Sequence, residues 1–220
     1  KFLYKVFLMS KRSSKNREFF PFGEKTKRNL EESFKNLLET VAAPGNETRI
    51  AEAVSFVVAK YAEKHRFYHN LSHIVALLAR AAELSEKFAD YESLRLAVWF
   101  HDLVYEPKRS DNETESAKIA VETLSKLKVS KPGVQKTEKM ILATQAHDPS
   151  GLDDDGRIFL DLDLSILGAE KPVYQKYART VRREFSFVPW FLYRKKRREI
   201  LENLLKREFI YYSNELGEKF

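Results

Sequence analysis

Apolar residues recur along most of the chain at intervals of three and four, the period of a helix buried on one side. Over residues 26–41 the stripe is Leu30, Phe34, Leu37, Leu38 and Val41, and Pro44-Gly45 ends it. Asn46 can cap the next helix, whose stripe is Ile50, Val54, Val57, Val58 and Tyr61. The polar residues 64–70 predict a turn. A helix over 71–88 then turns Ile74, Leu77, Leu78, Ala81 and Leu84 to the core. The helix after it carries Leu94, Ala97, Val98, His101, Asp102 and Tyr105, and Pro107 stops it. His101 lies one turn beyond Ala97 and Val98, so it points inward with them.

Past a loop at 108–113, Ile119, Ala120, Thr123, Leu124 and Leu127 mark another helix. Pro132-Gly133 predicts a turn before a helix with Met140, Ile141, Thr144 and His147 on one face, and 148–156 reads as an acidic loop. Residues 158–168 are apolar almost throughout except for two aspartates. Helical periodicity groups Asp163 with Phe159, Leu160, Ile166 and Leu167, and Asp161 with Arg157, Ile158, Leu164 and Ser165. Asp163 is the expected buried carboxylate, with Asp161 as the alternative. The remainder is basic: Arg179, Arg182 and Arg183 repeat the spacing of Arg194, Arg197 and Arg198, while Leu201, Leu204, Leu205, Phe209 and Tyr212 supply the apolar side of the last helix.

Only 7 Gly and 7 Pro punctuate the 220 residues, and alternating β-type runs are few, so the expectation is an all-α helical bundle. A single domain over 26–220 follows an N-terminal extension at 1–25. The first nine residues are too short and too interrupted by lysine to span a membrane, and the first eight are expected to lie upstream of the natural start. No membrane partner and a cytoplasmic location are therefore expected. The net charge of +7 favours an anionic partner. Nucleic acid fits less well, because the basic helices carry no recognition motif and Asp153-Asp154-Asp155 would repel a phosphate backbone.

With no cysteine, a metal would have to be held by imidazole and carboxylate, which suits Mg, Mn, Fe, Co, Ni or Zn. Two stretches offer such ligands. Residues 66–74 place His69 and His73 four apart at the mouth of an apolar helix, and His101-Asp102 follows Leu96-Ala97-Val98-Trp99-Phe100. A His-Asp pair in apolar sequence is costly unless satisfied, and a divalent ion satisfies both groups. His147 suits a core histidine as well as it suits a substrate contact or a ligand to a second ion. Asp111, Asn112 and Glu113 suit the start of a helix. His65, in the polar turn, is expected to be exposed.

Four segments, Tyr68-His69-Asn70-Leu71-Ser72-His73, Phe100-His101-Asp102-Leu103-Val104-Tyr105, Asp111-Asn112-Glu113-Thr114-Glu115-Ser116-Ala117 and Leu160-Asp161-Leu162-Asp163-Leu164-Ser165-Ile166-Leu167-Gly168, together resemble the HD-domain superfamily of metal-dependent phosphohydrolases. The resemblance spans roughly residues 61–212 and implies His73, His101, Asp102 and Asp163 as ligands of a catalytic divalent ion. The first segment is also similar to a motif of cyclic-nucleotide phosphodiesterases whose first histidine is a proton donor, which implies His69 as general acid. Asn70, Asp111, Asn112, Glu113, His147, Arg182 and Arg197 are the implied substrate contacts, with His147 and Glu113 available to a second ion. Glu106 is a secondary candidate for activating water. The function implied is hydrolysis of a phosphoester in a small, nucleotide-like metabolite by metal-bound hydroxide. A cyclic-nucleotide phosphodiesterase is one alternative; a nucleic-acid-binding or ligand-sensing module with a structural metal is another.

Overall fold

The expected stripes, except that of the last helix, turn toward one shared core. The structure is a computed structural model that describes residues 24–218, so all but the end of the expected N-terminal extension lies outside the described residues. Ten α-helices and no strands occur among them: α1 Glu24–Val41, α2 Glu47–Tyr61, α3 Leu71–Glu83, α4 Tyr91–Phe100, α5 Asn112–Lys126, α6 Lys131–Ala143, α7 Asp154–Leu164, α8 Lys171–Glu184, α9 Trp190–Leu205 and α10 Asn214–Gly217. The all-α expectation holds. No helix of the described residues is long and apolar enough to cross a membrane.

Helix α4 is the axis of the bundle. Leu94 and the run from Leu96 to Phe100 are buried on every side, because α1, α3, α5, α6 and α7 all pack against this helix. Phe34 of α1 stacks on Trp99 with ring centroids 4.3 Å apart, and the Tyr61 hydroxyl donates to the Trp99 carbonyl at 3.0 Å. Each such fully buried large side chain contributes about 1.5–3 kcal/mol. The core thereby fixes the end of α4, where His101 stands.

Several boundaries differ from expectation, each for a physical reason. Helix α3 stops at Glu83, and a 3-10 turn at Ser85–Lys87 replaces the expected run to 88, because the N–H groups of Ala89 and Asp90 are taken by the buried Asp155 carboxylate. Helix α4 ends at Phe100 rather than reaching Pro107. The carbonyls of Asp102 and Leu103 accept from Arg66, and the Val104 N–H donates to Ser116 Oγ, so the chain leaves the helical path. Pro132 and Gly133 are not a turn but the first turn of α6, capped by Ser130, where proline's missing N–H costs nothing. Asp153 caps α7 through the Gly156 N–H, which shortens the expected acidic loop.

At the C-terminal end, α9 stops at Leu205, so Phe209 and Tyr212 are not on it, and Leu205 and Phe209 are exposed rather than apolar-side residues. Helices α8 and α9 form a hairpin at the side of the bundle. Only Val181 and Glu184 of α8 are buried, and no residue of α9 is.

Candidate metal centre

The turn at residues 66–70 delivers the first histidines. Arg66 is buried, and its guanidinium donates to the carbonyls of His69 (3.2 Å), Asp102 (2.6 Å) and Leu103 (2.8 Å) and to the Glu63 carboxylate (3.0 Å). One side chain thereby ties the His69 turn to the His101-Asp102 turn. Asn70 caps α3: its Oδ1 accepts from the Ser72 N–H at 2.8 Å, and its Nδ2 donates to the Phe67 carbonyl at 3.1 Å. That cap sets His73 in the first turn of α3, facing the core.

His73, His101 and Asp163 converge with ligand atoms all within 4.8 Å of one another. The two Nε2 atoms are 3.2 Å apart, and Asp163 Oδ1 lies 3.2 Å from that of His73 and 3.7 Å from that of His101. Asp102 Oδ2 joins at 3.1 Å from His101 Nε2 and 3.7 Å from His73 Nε2. His101 Nδ1 faces the Val98 carbonyl at 3.0 Å, which leaves Nε2 to carry the lone pair. Two imidazole lone pairs face to face repel unless a proton or cation lies between them. Nitrogens bound about 2.1 Å from one ion stand about 3.0–3.4 Å apart at right or tetrahedral angles, so the observed spacing suits a shared divalent ion.

The carboxylates hold charge despite their surroundings. Burial would raise Asp102 and Asp163, yet the neighbouring histidines hold both below the ordinary carboxylate range. Burial opposes the charged form of His101 too, but Asp102 beside it lifts the imidazole to about 9. The group is therefore a set of anionic oxygens and nitrogen donors awaiting positive charge, the donor chemistry a divalent cation needs. His73 and His101 form a buried floor, while the side chains of Asp102, Asp163, His69 and His147 retain 16–22% exposure and leave an approach from solvent.

The two aspartates of α7 divide the expected role. Asp161 is the fully buried carboxylate, contrary to expectation, and it accepts the N–H groups of Tyr212 (2.8 and 2.9 Å) and Ser213 (2.7 Å). Asp163 is the one at the histidines. Burial and ligation thus fall to different aspartates. His147 joins from outside its expected helix: α6 ends at Ala143, and His147, at φ 46°, reaches Asp163 Oδ2 with Nε2 at 2.9 Å.

His69 has a partner that sequence reasoning missed. Its Nδ1 lies 2.8 Å from Glu184 Oε2 on α8, and Tyr105 donates its hydroxyl to the same oxygen at 2.9 Å. Glu184 Oε1 accepts the N–H groups of Phe67 (2.7 Å), Tyr68 (2.6 Å) and His69 (3.0 Å). This fully buried side chain thus organises the whole turn. Burial alone would raise Glu184 and lower His69; their mutual attraction and hydrogen bond reverse both, leaving the carboxylate lowered and the imidazole raised. The signal was present in the sequence: Glu184 shares a face with apolar Val181 on an otherwise basic helix, but the adjacent arginines drew the reading.

The other expected contacts lie on the loop before α5, on its first turn and on the α8–α9 hairpin. Asp111 is paired with Arg109 at 2.7 and 2.8 Å, and Asn112 pins the Glu106 backbone through its N–H (3.1 Å) and carbonyl (3.0 Å). Glu113 stands in the first turn of α5, and Glu106 is exposed, its carboxylate accepting from the Lys108 N–H rather than joining the histidines. Arg182 binds the Phe185 and Val188 carbonyls and so closes the hairpin turn. Arg197 donates to the Tyr177 hydroxyl at 2.7 Å, and Tyr177 packs on Tyr68, whose ring lies 5.0 Å from that of His73. His65 is exposed, as expected. Comparison of the chain with protein-family models, curated proteins and solved structures finds no match.

Proposed function

We propose that the protein is a metal-dependent phosphohydrolase acting on a small, nucleotide-like phosphoester. The observation that carries this reading is the pairing of two devices: a His/His/carboxylate cluster suited to a divalent ion, and beside it an imidazole held by a buried carboxylate, with the His69 and His73 ring centroids 6.1 Å apart. His73, His101, Asp102 and Asp163 would hold the ion, which supplies charge to polarise a phosphoryl oxygen and to make water a stronger acid. The division suits phosphoester cleavage, where an attacking oxygen must lose a proton and a leaving oxygen must gain one.

His69 supplies the second proton. Glu184 at Nδ1 favours the imidazolium and leaves Nε2 as the nitrogen that releases its proton to the leaving alkoxide. Tyr105, whose phenol burial and Glu184 together keep neutral, stacks on the His69 ring at 4.1 Å and restricts its rotation. Arg197, reaching the site through Tyr177 and Tyr68, offers a guanidinium for an anionic substrate at the rim.

The test is metal content of the purified protein, wild type and Asp102→Ala, followed by phosphate release from nucleoside mono-, di- and triphosphates and by ring opening of cyclic nucleotides. The expected result is a stoichiometric divalent ion that falls in Asp102→Ala, turnover of at least one substrate, and loss of turnover with metal retained in His69→Ala. Failure to bind Mn, Co, Ni, Zn or Mg would overturn the reading, and so would unchanged turnover in His69→Ala.

A further inference from the structure

The net charge and, among the described residues, much of the exposed apolar surface are concentrated together. Residues 171–205, the α8–α9 hairpin, hold ten Lys and Arg against three Asp and Glu, a surplus equal to the +7 of the whole chain. The rest of the protein is neutral in sum. At the apex of the same hairpin, Phe187, Trp190, Phe191 and Leu192 are 50%, 56%, 70% and 47% exposed. Solvent exposure of four bulky apolar side chains in six residues costs free energy unless a partner covers them.

We propose that this apex docks peripherally on an anionic lipid bilayer. Trp190, Phe191 and Leu192 are consecutive in the first turn of α9, so at about 100° per residue they point to three different sides of the helix axis. A flat protein surface or a nucleic-acid strand covers one side, whereas the interfacial layer of a bilayer surrounds an inserted tip. Leu192, being aliphatic, also gives a base nothing to stack on. A second copy of the chain would bring one +7 hairpin against another.

The basic residues lie where headgroup phosphates would be. Arg194, Lys195, Lys196 and Arg198 are exposed and begin three residues beyond Phe191, and Lys195 stands about 6 Å further along the axis at 1.5 Å per residue. An apolar tip buried about 5–10 Å into the headgroup and acyl boundary places those charges at the anionic layer. Trp190, with Arg182 and Arg194 within 5.6 and 5.8 Å of its ring, suits the interface between the two. The sequence expectation of no membrane contact rested on the lack of a spanning segment, and a peripheral contact needs none.

The experiment is vesicle co-sedimentation of the full chain with liposomes of phosphatidylcholine alone or with about 30% phosphatidylserine, read in parallel by tryptophan emission. Of the two tryptophans Trp99 is fully buried, so an emission change on adding vesicles reports Trp190. Binding to the anionic vesicles with a blue shift is expected, together with a roughly thirty-fold weakening in Lys195→Gln/Lys196→Gln and about a tenfold weakening in Phe191→Ser. Circular dichroism of both variants should match wild type, since the altered side chains are exposed. Any of three results would overturn the proposal: no partition into anionic vesicles at low salt, equal partition into neutral ones, or binding of single-stranded polynucleotide in preference to vesicles. Concentration-dependent dimerisation that shields Trp190 would overturn it as well.

Discussion

Replacing Glu184 with glutamine changes one atom's chemistry in a side chain that accepts five hydrogen bonds. The retained carbonyl oxygen can keep the three backbone N–H groups of the 67–69 turn, so the turn should survive. The new amide NH2 then faces His69 Nδ1 and the Tyr105 hydroxyl. Tyrosine can turn its hydroxyl to accept, but an imidazolium cannot, so the charge-assisted bond at 2.8 Å is lost. Such a bond is worth about 1.5–3 kcal/mol, and its loss lowers the titration of His69. The sign follows from the direction of the shift. Glu184 raises His69, which keeps the acid protonated to higher pH, so its loss should move the alkaline limb of the kcat profile toward lower pH. Above the wild-type alkaline limb kcat should fall about ten- to a hundred-fold, the rate equivalent of that bond at 1.36 kcal/mol per factor of ten, with KM and bound metal little changed. The assay is the pH dependence of phosphate release at saturating metal, with metal content measured on the same samples. An unmoved alkaline limb in a folded, metal-loaded Glu184→Gln would refute the coupling.

Arg66→Met should destabilise the protein by about 2–5 kcal/mol, because it leaves the Asp102 and Leu103 carbonyls without their donor at about 1–3 kcal/mol each, while Glu63 keeps Lys60; urea denaturation measures it. Asp161→Ala and Asp163→Asn should separate cleanly: the first lowers the melting temperature by a few degrees through the uncapped Tyr212 and Ser213 N–H groups but leaves metal stoichiometry unchanged, and the second lowers metal affinity at little cost to stability. On acidification, the stability that Glu184 contributes, present in full above the ordinary glutamate range, should be lost as pH falls through its lowered folded value. Wild type and Glu184→Gln should therefore converge in stability at low pH, as urea midpoints across a pH series would report.

The stripe Leu30, Phe34, Leu37, Leu38 and the run Leu94 to Phe100 were legible in the sequence because a 3.6-residue period states which side of a helix is buried. Periodicity also placed His101 on the core side. It failed where tertiary partners end a helix: nothing near Phe100 says that Arg66, more than thirty residues earlier, will claim the next carbonyls. The same limit explains Asp161 and Asp163, since the periodic argument concerns burial and the distinction between them depends on which atoms wait opposite. Glu184 was hidden for a related reason. Its meaning comes from a turn 115 residues away that offers three N–H groups and an imidazole, and no local pattern records that.

That long reach has a consequence for how competence could be gained or lost. The proposed metal ligands all fall between residues 73 and 163, on elements packed around α4, whereas the carboxylate that orients His69 arrives from a hairpin with almost no buried residues. Sparse burial makes α8 and α9 the natural candidates for opening ahead of the bundle, at a fraction of the free energy of global unfolding. A molecule opened in that way would still hold its ion but would present an unanchored, untuned imidazole: loaded, folded and idle. Metal occupancy and turnover would then report on two separately melting parts of one chain.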